Sequence, residues 1–158
     1  MGMGIPRLAM MAGISYELAK GLQDFYFQLN PEVRAWQQRI ERDIGTKGFI
    51  SNCYGRRGFF LNKNDPMLLN KALAFIPQST IGDLVNHAAV EIAEKLPLVE
   101  IKMQVHDSLV MQYPVETATY HRKEVVKCME LELPYAGGLI IPSDIQVSRV
   151  SYGDVAGL

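Results

Sequence analysis

Three polar residues, His106-Asp107-Ser108, separate two stretches in which apolar and polar side chains alternate. The alternation in residues 99–105 and 109–113 predicts two strands joined by a tight turn. The turn lacks glycine and Asn-Gly, the residues that two-residue turns favour, so its carboxylate is a candidate functional group. The alternative is an ordinary turn aspartate that bonds to its own backbone, and the hairpin pattern alone favours that alternative. The apolar residues expected to share the buried face are Val99, Ile101, Met103, Val105, Leu109, Met111 and Tyr113.

A second candidate is the glycine-flanked pair Arg56 and Arg57. Residues 48–54 and 59–61 read as strands, which places Gly55-Arg56-Arg57-Gly58 in the turn between them. A guanidinium group matches the geometry of phosphate oxygens, so exposed adjacent arginines indicate phosphate binding. A solvated turn is the alternative, because basic clusters are weak motifs.

The charge of the chain is unevenly distributed. The net charge is −1, but residues 34–71 contain eight Lys/Arg and three Asp/Glu, a local excess of +5. The remainder carries eight Lys/Arg and fourteen Asp/Glu, or −6. This asymmetry indicates one surface that meets an anion, with a solvated charged helix face as the alternative.

The elements that must position these candidates are mostly helical. Ser15 is predicted to cap the helix that follows it. Asn30 is predicted to cap the next helix, with Pro31 at its first position. Pro77 is predicted to break a helix. Apolar stripes at helical spacing predict buried faces. The predicted helices cover about 7–11, 15–29, 31–45, 66–76, 80–95 and 116–131.

Composition limits the class of protein. With 158 residues, 48% hydrophobic and 21% charged, the chain is expected to be one globular domain. No apolar run approaches the ~18 residues of a membrane helix, so no membrane partner is expected. Cys53 and Cys128 show no metal-binding spacing, which favours reduced thiols in the cytoplasm.

Four short motifs occur in the order of one family, and the chain resembles the family A DNA polymerases of the bacterial DNA polymerase I and phage replicative type. The resemblance runs from the end of motif B through motif C to near the C-terminus. The motifs are Gly2-Met3-Gly4 followed by Asn30-Pro31-Glu32-Val33, Gly55-Arg56-Arg57, Pro77-Gln78-Ser79-Thr80-Ile81-Gly82-Asp83, and Gln104-Val105-His106-Asp107.

The resemblance implies an α+β fold with distal fingers helices in residues 1–47 and a partial palm in residues 48–158. It implies nucleotidyl transfer by two Mg²⁺ ions, with Asp107 as a catalytic residue and one of two metal-binding aspartates. The implied partner is primer–template DNA, in the cytoplasm of a bacterial or phage-infected bacterial cell. The residues implied to contact DNA are His106 and Gln78 in the minor groove, Arg56 and Arg57 on phosphate, and Met3 and Gly4 near the template base.

The sequence departs from the family pattern in two ways. Ser108 stands where the family often has glutamate, and we expect it to be tolerated because that glutamate is a supporting residue. The second metal aspartate and the nucleotide-binding Lys and Arg of the motif B helix have no counterpart in residues 1–158. The chain is therefore expected to be either one half of a split polymerase or the product of a truncated reading frame. In both cases we expect no polymerisation by this chain alone, and dNTP binding only together with the missing N-terminal half.

Two other functions remain alternatives. A non-catalytic DNA-binding module would use the arginine turn and Gln78, and its DNA affinity would depend on salt but not on Mg²⁺ or Asp107. A metal phosphohydrolase built on His106 and Asp107 would require further ligands, for which the remaining histidines are His87 and His121.

Overall fold

The computed structural model describes residues 4–154 and 156–157, and their fold is α+β, as the resemblance implies. The helices are α1 (Ile5–Ala12), α2 (Tyr16–Leu29), α3 (Pro31–Thr46), α4 (Leu68–Lys95) and α5 (Ala118–Met129), with 3₁₀ turns at Val115–Thr117 and Tyr152–Asp154. The strands are β1 (Phe49–Ser51), β2 (Arg57–Phe59), β3 (Glu100–Val105), β4 (Ser108–Gln112), β5 (Gln146–Val147) and β6 (Ala156–Gly157). They pair as antiparallel two-stranded sheets, β1–β2, β3–β4 and β5–β6.

Contacts divide the chain into two compact units, Met1–Gln78 and Ser79–Leu158. The assignment of residues 1–47 to fingers and 48–158 to palm stays a prediction. Among the described residues, no helix is long and apolar enough to cross a membrane.

Side-chain hydrogen bonds set the ends of α2. Ser15 caps it as predicted, accepting a bond from the Leu18 amide at 3.2 Å. Asn30 precedes α3, but its side chain donates to the Tyr26 carbonyl at 2.9 Å instead of capping α3. Asn30 is thus the N-cap residue of α3 as predicted, but its side chain makes no capping hydrogen bond there, because it bonds to the last turn of α2. Pro31 still starts α3, where its missing N–H costs no hydrogen bond.

The apolar stripe of α2 is not buried. Ala19 is fully covered, whereas Leu18, Leu22, Phe25 and Leu29 are 49% to 64% exposed. The prediction that this stripe forms core is therefore wrong for most of its members. Helical spacing reports an apolar face, and whether that face is covered depends on what packs against it.

The first unit buries the stripe of α3 instead. Ile40 and Ile44 pack with Ile50 of β1 and with Ala72 and Leu73 of α4. Half-buried aromatic side chains border this core, and the ring centroids of Phe60 and Phe75 lie 6.0 Å apart. The core thus joins the β1–β2 hairpin to two helices.

Helix α4 contradicts the predicted break at Pro77, because it runs continuously from Leu68 to Lys95 with Pro77 inside it. A proline within a helix removes one backbone hydrogen bond and crowds the preceding turn. Packing of apolar side chains on either side of Pro77 offsets that cost: Leu73 is buried before it, and Leu84 and Val85 are buried after it.

The core of the second unit lies beneath the β3–β4 hairpin. Ile92 and Leu96 of α4 pack with Val99 and with Val125 and Cys128 of α5. Burial raises the pKa of the Cys128 thiol, as expected for a cysteine that serves as a small apolar side chain. Four partly buried side chains of the hairpin region cover this core: Ile101, Leu109, Met111 and Tyr113.

The close approach of β2 to α4 yields a stability prediction. A Cβ atom at position 58 would lie 2.8 Å from ring carbons of Phe75. We expect Gly58→Ala to lower the free energy of unfolding by about 1–3 kcal/mol through overpacking, measured by urea titration. Gly21→Ala is the matched control, because a Cβ there meets nothing within 4 Å. The control should stabilise α2 by about 0.5–1 kcal/mol, and equal effects of the two variants would contradict the close approach.

The exposed stripe of α2 predicts concentration-dependent self-association, because contiguous apolar surface favours association. Sedimentation of the chain over a range of concentrations measures it. The double variant Leu22→Gln/Phe25→Gln should shift the chain toward monomer, and Lys20→Gln/Asp24→Asn on the same helix should not. A wild-type chain that stays monomeric at high concentration would refute the prediction.

Candidate functional site

The β3–β4 hairpin closes with a two-residue loop, because Val105 pairs with Ser108 and leaves only His106 and Asp107 between them. His106 has φ 54°, and it is the non-glycine residue with positive φ among those the structure describes. Two-residue hairpin loops require a positive φ, and glycine, asparagine or aspartate usually provides it. A histidine in this conformation costs roughly 1–2 kcal/mol.

Side chains next to the loop brace it. The Ser108 hydroxyl donates to the Val105 carbonyl at 2.8 Å, and the Gln104 amide makes a longer contact of 3.5 Å with the His106 carbonyl. Both side chains belong to the strands themselves. The Asp107 side chain takes part in neither bond and is exposed. The turn thus places a carboxylate at its tip, free of the bonds that brace the loop.

A β-bulge at Lys102 corrects the predicted alternation of β3. Ile101 pairs with Met111 and Met103 with Val110, which leaves Lys102 without a partner residue. Paired residues share a face of a sheet, so Met103 and Val105 lie on the opposite face from Ile101. The prediction that Met103 and Val105 continue the buried face is therefore wrong. For Leu109, Met111 and Tyr113 the prediction is confirmed, since all three pack against the core.

The described residues do not form a metal site around Asp107. Among residues 4–154 and 156–157, no group of three His, Cys, Asp or Glu side chains could bind a metal ion. Glu100, at the far end of β3, is paired with Lys102, and this hydrogen bond lowers the pKa of the Glu100 carboxyl. Asp107 is therefore not part of a three-ligand cluster within the described residues. This finding gives no support to a metal phosphohydrolase that uses His87 or His121.

Asp107 also borders an open groove of the second unit. The groove has a volume of about 1340 Å³ and is lined by the β3–β4 hairpin, α5 and residues 141–152. Its volume exceeds the roughly 300–1,000 Å³ of typical small-ligand pockets.

The arginine hairpin has a longer loop than predicted. Residues 52–56 form the loop, whereas Arg57 belongs to β2 and pairs with Ser51. The Asn52 side chain shapes the loop, because its oxygen accepts bonds from the amides of Tyr54 at 3.0 Å and Arg56 at 2.9 Å. Gly55, with φ 84°, supplies the left-handed residue. The two arginines therefore differ: Arg56 ends the loop, and Arg57 projects from a strand.

Arg57 is oriented by an aromatic ring. Its guanidinium carbon lies 5.0 Å from the centroid of Phe49, within the range of a cation–π contact. In the described part of the chain, no carboxylate lies within ion-pair distance of Arg57. Its hydrogen-bond donors are thus available to an external anion.

The other predicted contacts fall in different places. Gln78 is exposed on α4, one residue after Pro77, and belongs to the first unit with Arg56 and Arg57. His106 and Asp107 belong to the second unit. Gly4 is the exposed N-cap of α1, and its carbonyl accepts a bond from the Leu8 amide at 3.0 Å. Met3 lies outside the described residues.

Comparison with known proteins decides the family. The sequence model of DNA polymerase family A matches residues 1–151. The chain belongs to DNA polymerase family A. It is 32% identical to the thermostable DNA polymerase I of Thermus filiformis, in an alignment 159 positions long that covers 92% of this chain and 18% of that protein. It is 28% identical to the DNA polymerase of Mycobacterium phage D29 over 156 residues, covering 99% of this chain and 24% of that protein.

A solved polymerase structure shares the fold of this family member. It is the POL domain of Pol1 from M. smegmatis, solved in complex with DNA primer-template and dNTP. The TM-score is 0.73 at 22% identity, and the match covers 82% of this chain and 24% of that one. The chain thus spans about a fifth to a quarter of the length of the polymerases it resembles.

Phe49 and Phe59, which flank the arginine loop, were not among the residues singled out from sequence. Phe49 pairs with Phe59 across the hairpin, and their ring centroids are 5.8 Å apart. Two aromatic residues at equal distances from the centre of a short hairpin are a signal for such a pair, although finding it requires the correct loop length.

The conformation of His106 yields a prediction. Because glycine adopts positive φ without steric cost, His106→Gly should raise the free energy of unfolding by about 1 kcal/mol. Asp107→Gly is the control, because Asp107 does not have positive φ, and it should lower the same quantity by about 0.5–1 kcal/mol. Urea titrations of both variants make the comparison. A loss of stability in His106→Gly would contradict a strained turn.

Proposed function

We propose that this family A chain is the C-terminal part of a DNA-directed DNA polymerase that acts in the cytoplasm of a bacterial or phage-infected bacterial cell. Residues 1–47 are its distal fingers and residues 48–158 its partial palm. The observation that carries the proposal is the β3–β4 turn, in which a strained His106 and the Ser108 hydroxyl present an exposed Asp107. Family membership over residues 1–151 supports the same assignment.

Asp107 has the role of a catalytic carboxylate in this proposal. Nucleotidyl transfer by two metal ions requires carboxylates fixed near the attacking 3′ oxygen and the α-phosphate. A hairpin tip above a packed core supplies such a fixed position. Family A polymerases generally use divalent metals, and we propose Mg²⁺. In this proposal the second carboxylate comes from a segment of the polymerase other than residues 1–158, and these residues alone do not extend a primer.

His106 and Gln78 serve as minor-groove contacts at the primer end. Base pairs offer similar hydrogen-bond acceptors in the minor groove whatever their sequence. A polymerase must bind every base pair equally well, so contacts of this kind suit it. Both side chains are exposed and can donate hydrogen bonds. Gly4 and Met3 lie near the template base in this assignment.

Arg56 and Arg57 contact backbone phosphate, which positions DNA without reading its sequence. The support is the unpaired guanidinium of Arg57 and the +5 excess of residues 34–71. The same observations favour the second candidate, a non-catalytic DNA-binding module. The two candidates differ in whether Asp107 and Mg²⁺ affect the outcome.

The test is a chimaeric polymerase in which residues 1–158 replace the matching segment of the phage D29 enzyme, assayed by primer extension with Mg²⁺. We expect extension by the chimaera and none by residues 1–158 alone. Asp107→Asn should reduce extension by at least about 100-fold, because loss of a residue that only orients a metal ligand already costs about 10–100-fold.

Asp144→Asn is the matched control, since Asp144 is also an exposed aspartate of the second unit. This variant should extend primers as the unmodified chimaera does. An active Asp107→Asn chimaera would refute the catalytic role. Primer–template binding that depends on salt but not on Mg²⁺, without extension, would instead establish the DNA-binding module.

A further inference from the structure

One face of α5 lines the open groove of the second unit. The side chains that border the groove recur at the three- and four-residue intervals of a single helix face, and they are Ala118, Arg122, Val125, Val126 and Met129. All of them except Arg122 are apolar. Arg122 is therefore the one cation that this face of α5 presents to the groove.

Arg122 has no partner among the described residues. Its Nε atom is buried without a hydrogen-bond partner, and no carboxylate lies within ion-pair distance of its guanidinium. Its own helix supplies no acceptor, because none of the positions three and four residues away is acidic. A buried N–H group without an acceptor is costly, so a ligand that supplies the acceptor would be favoured here. Lysines of the same unit are paired with glutamates instead, namely Lys95, Lys102 and Lys127.

The groove follows the free edge of β4. All five residues of this strand line it, although successive side chains of a strand point to opposite faces of the sheet. A groove that contacts side chains of both faces runs along the edge between them. In the described part of the chain β4 pairs with β3 alone, so the backbone groups of its other edge have no strand partner. An extended polypeptide can pair with such groups, whereas a hydrocarbon chain cannot.

The walls of the groove indicate which side chains its occupant carries. Apolar side chains from three elements border it, among them Val110 of β4, Met129 of α5 and Val147 of β5. Apolar walls favour apolar side chains, and a guanidinium can donate two parallel hydrogen bonds to a carboxylate. The complementary occupant is therefore an extended polypeptide that carries one carboxylate among apolar side chains.

We propose that Arg122 anchors a carboxylate side chain of a partner polypeptide that lies in this groove in extended conformation. Arg122 supplies the positive charge, and the edge of β4 supplies backbone hydrogen bonds. The site goes beyond the proposed function, because it requires neither DNA nor Mg²⁺. It belongs to the second unit alone.

The test measures the fluorescence anisotropy of two labelled peptides with the full chain, at low salt and without Mg²⁺ or DNA. In both peptides threonine and valine alternate around a central residue, which is glutamate in one peptide and glutamine in the other. A hydrogen bond to a charged group corresponds to roughly 10- to 150-fold in affinity. We expect the glutamate peptide to bind at least about fivefold more tightly than the glutamine peptide. Equal affinity for the two peptides, or binding of neither, would overturn the proposal.

Two variants locate this preference at Arg122. Arg122→Gln should abolish it, and a preference that survives this change would refute the assignment. Arg149→Gln is the matched control, because Arg149 also lines the groove but is exposed, and it should leave the preference within about twofold. Arg122→Gln should not lower the midpoint of urea unfolding, since its guanidinium has no partner within the described residues to lose. A lower midpoint would contradict an unpaired guanidinium.

Competition and sedimentation identify other occupants. Displacement of the glutamate peptide by oligothymidylate, at a lower concentration than by unlabelled peptide, would reassign the groove to nucleic acid. The same result with decanoate would reassign it to a fatty acid. Self-association that Arg122→Gln abolishes, without any preference between the peptides, would reassign it to an interface between copies of the chain. None of these measurements involves primer extension, so failure of the chimaera leaves their result independent.

Discussion

The conformation of His106 is the constraint on which the candidate catalytic turn depends. With Val105 paired to Ser108, only two residues remain to reverse the chain, and one of them must adopt positive φ. A histidine does so at a cost that a glycine would avoid. The turn tolerates this cost because its strands are fixed from below, where Ile101, Leu109 and Met111 pack on the core of α4 and α5. Strain at the tip is thus offset by packing at the base, a distribution typical of functional sites.

The β1–β2 and β3–β4 hairpins use different residues to reverse the direction of the chain. In β1–β2 the Asn52 side chain organises a five-residue loop and Gly55 takes the left-handed position, so no strain is needed there. In this hairpin the tight position is Gly58, where a Cβ atom would lie 2.8 Å from the Phe75 ring and the ring would have to move. Packing and strain in the β3–β4 hairpin therefore fix the position of its tip. In the β1–β2 hairpin, packing against Phe75 instead fixes which face is exposed.

Local patterns predicted the elements well where the pattern and the packing agree. The stripes of α3 and of the second half of α4 are buried as expected, and the family followed from four motifs in order. The α2 stripe and Pro77 show the limit, because exposure and the cost of a helix proline depend on distant packing. The bulge at Lys102 could not be predicted for a similar reason, because the alternation of side chains in one strand does not reveal how that strand pairs with its partner. The candidate residues could be named from sequence, but the structure was required to show that Asp107 belongs to no three-ligand cluster of the described residues.

Ser108 departs from the family pattern, and in this chain its side chain makes a different hydrogen bond within the same turn. The resemblance leads one to expect a glutamate after the motif C aspartate, and an ionised glutamate can only accept hydrogen bonds. The Ser108 hydroxyl donates to the Val105 carbonyl across the turn, a bond that such a carboxylate cannot make. Serine also adds no second negative charge beside Asp107. In this chain the turn is therefore braced by a short neutral donor, and Asp107 is the only carboxylate at its tip.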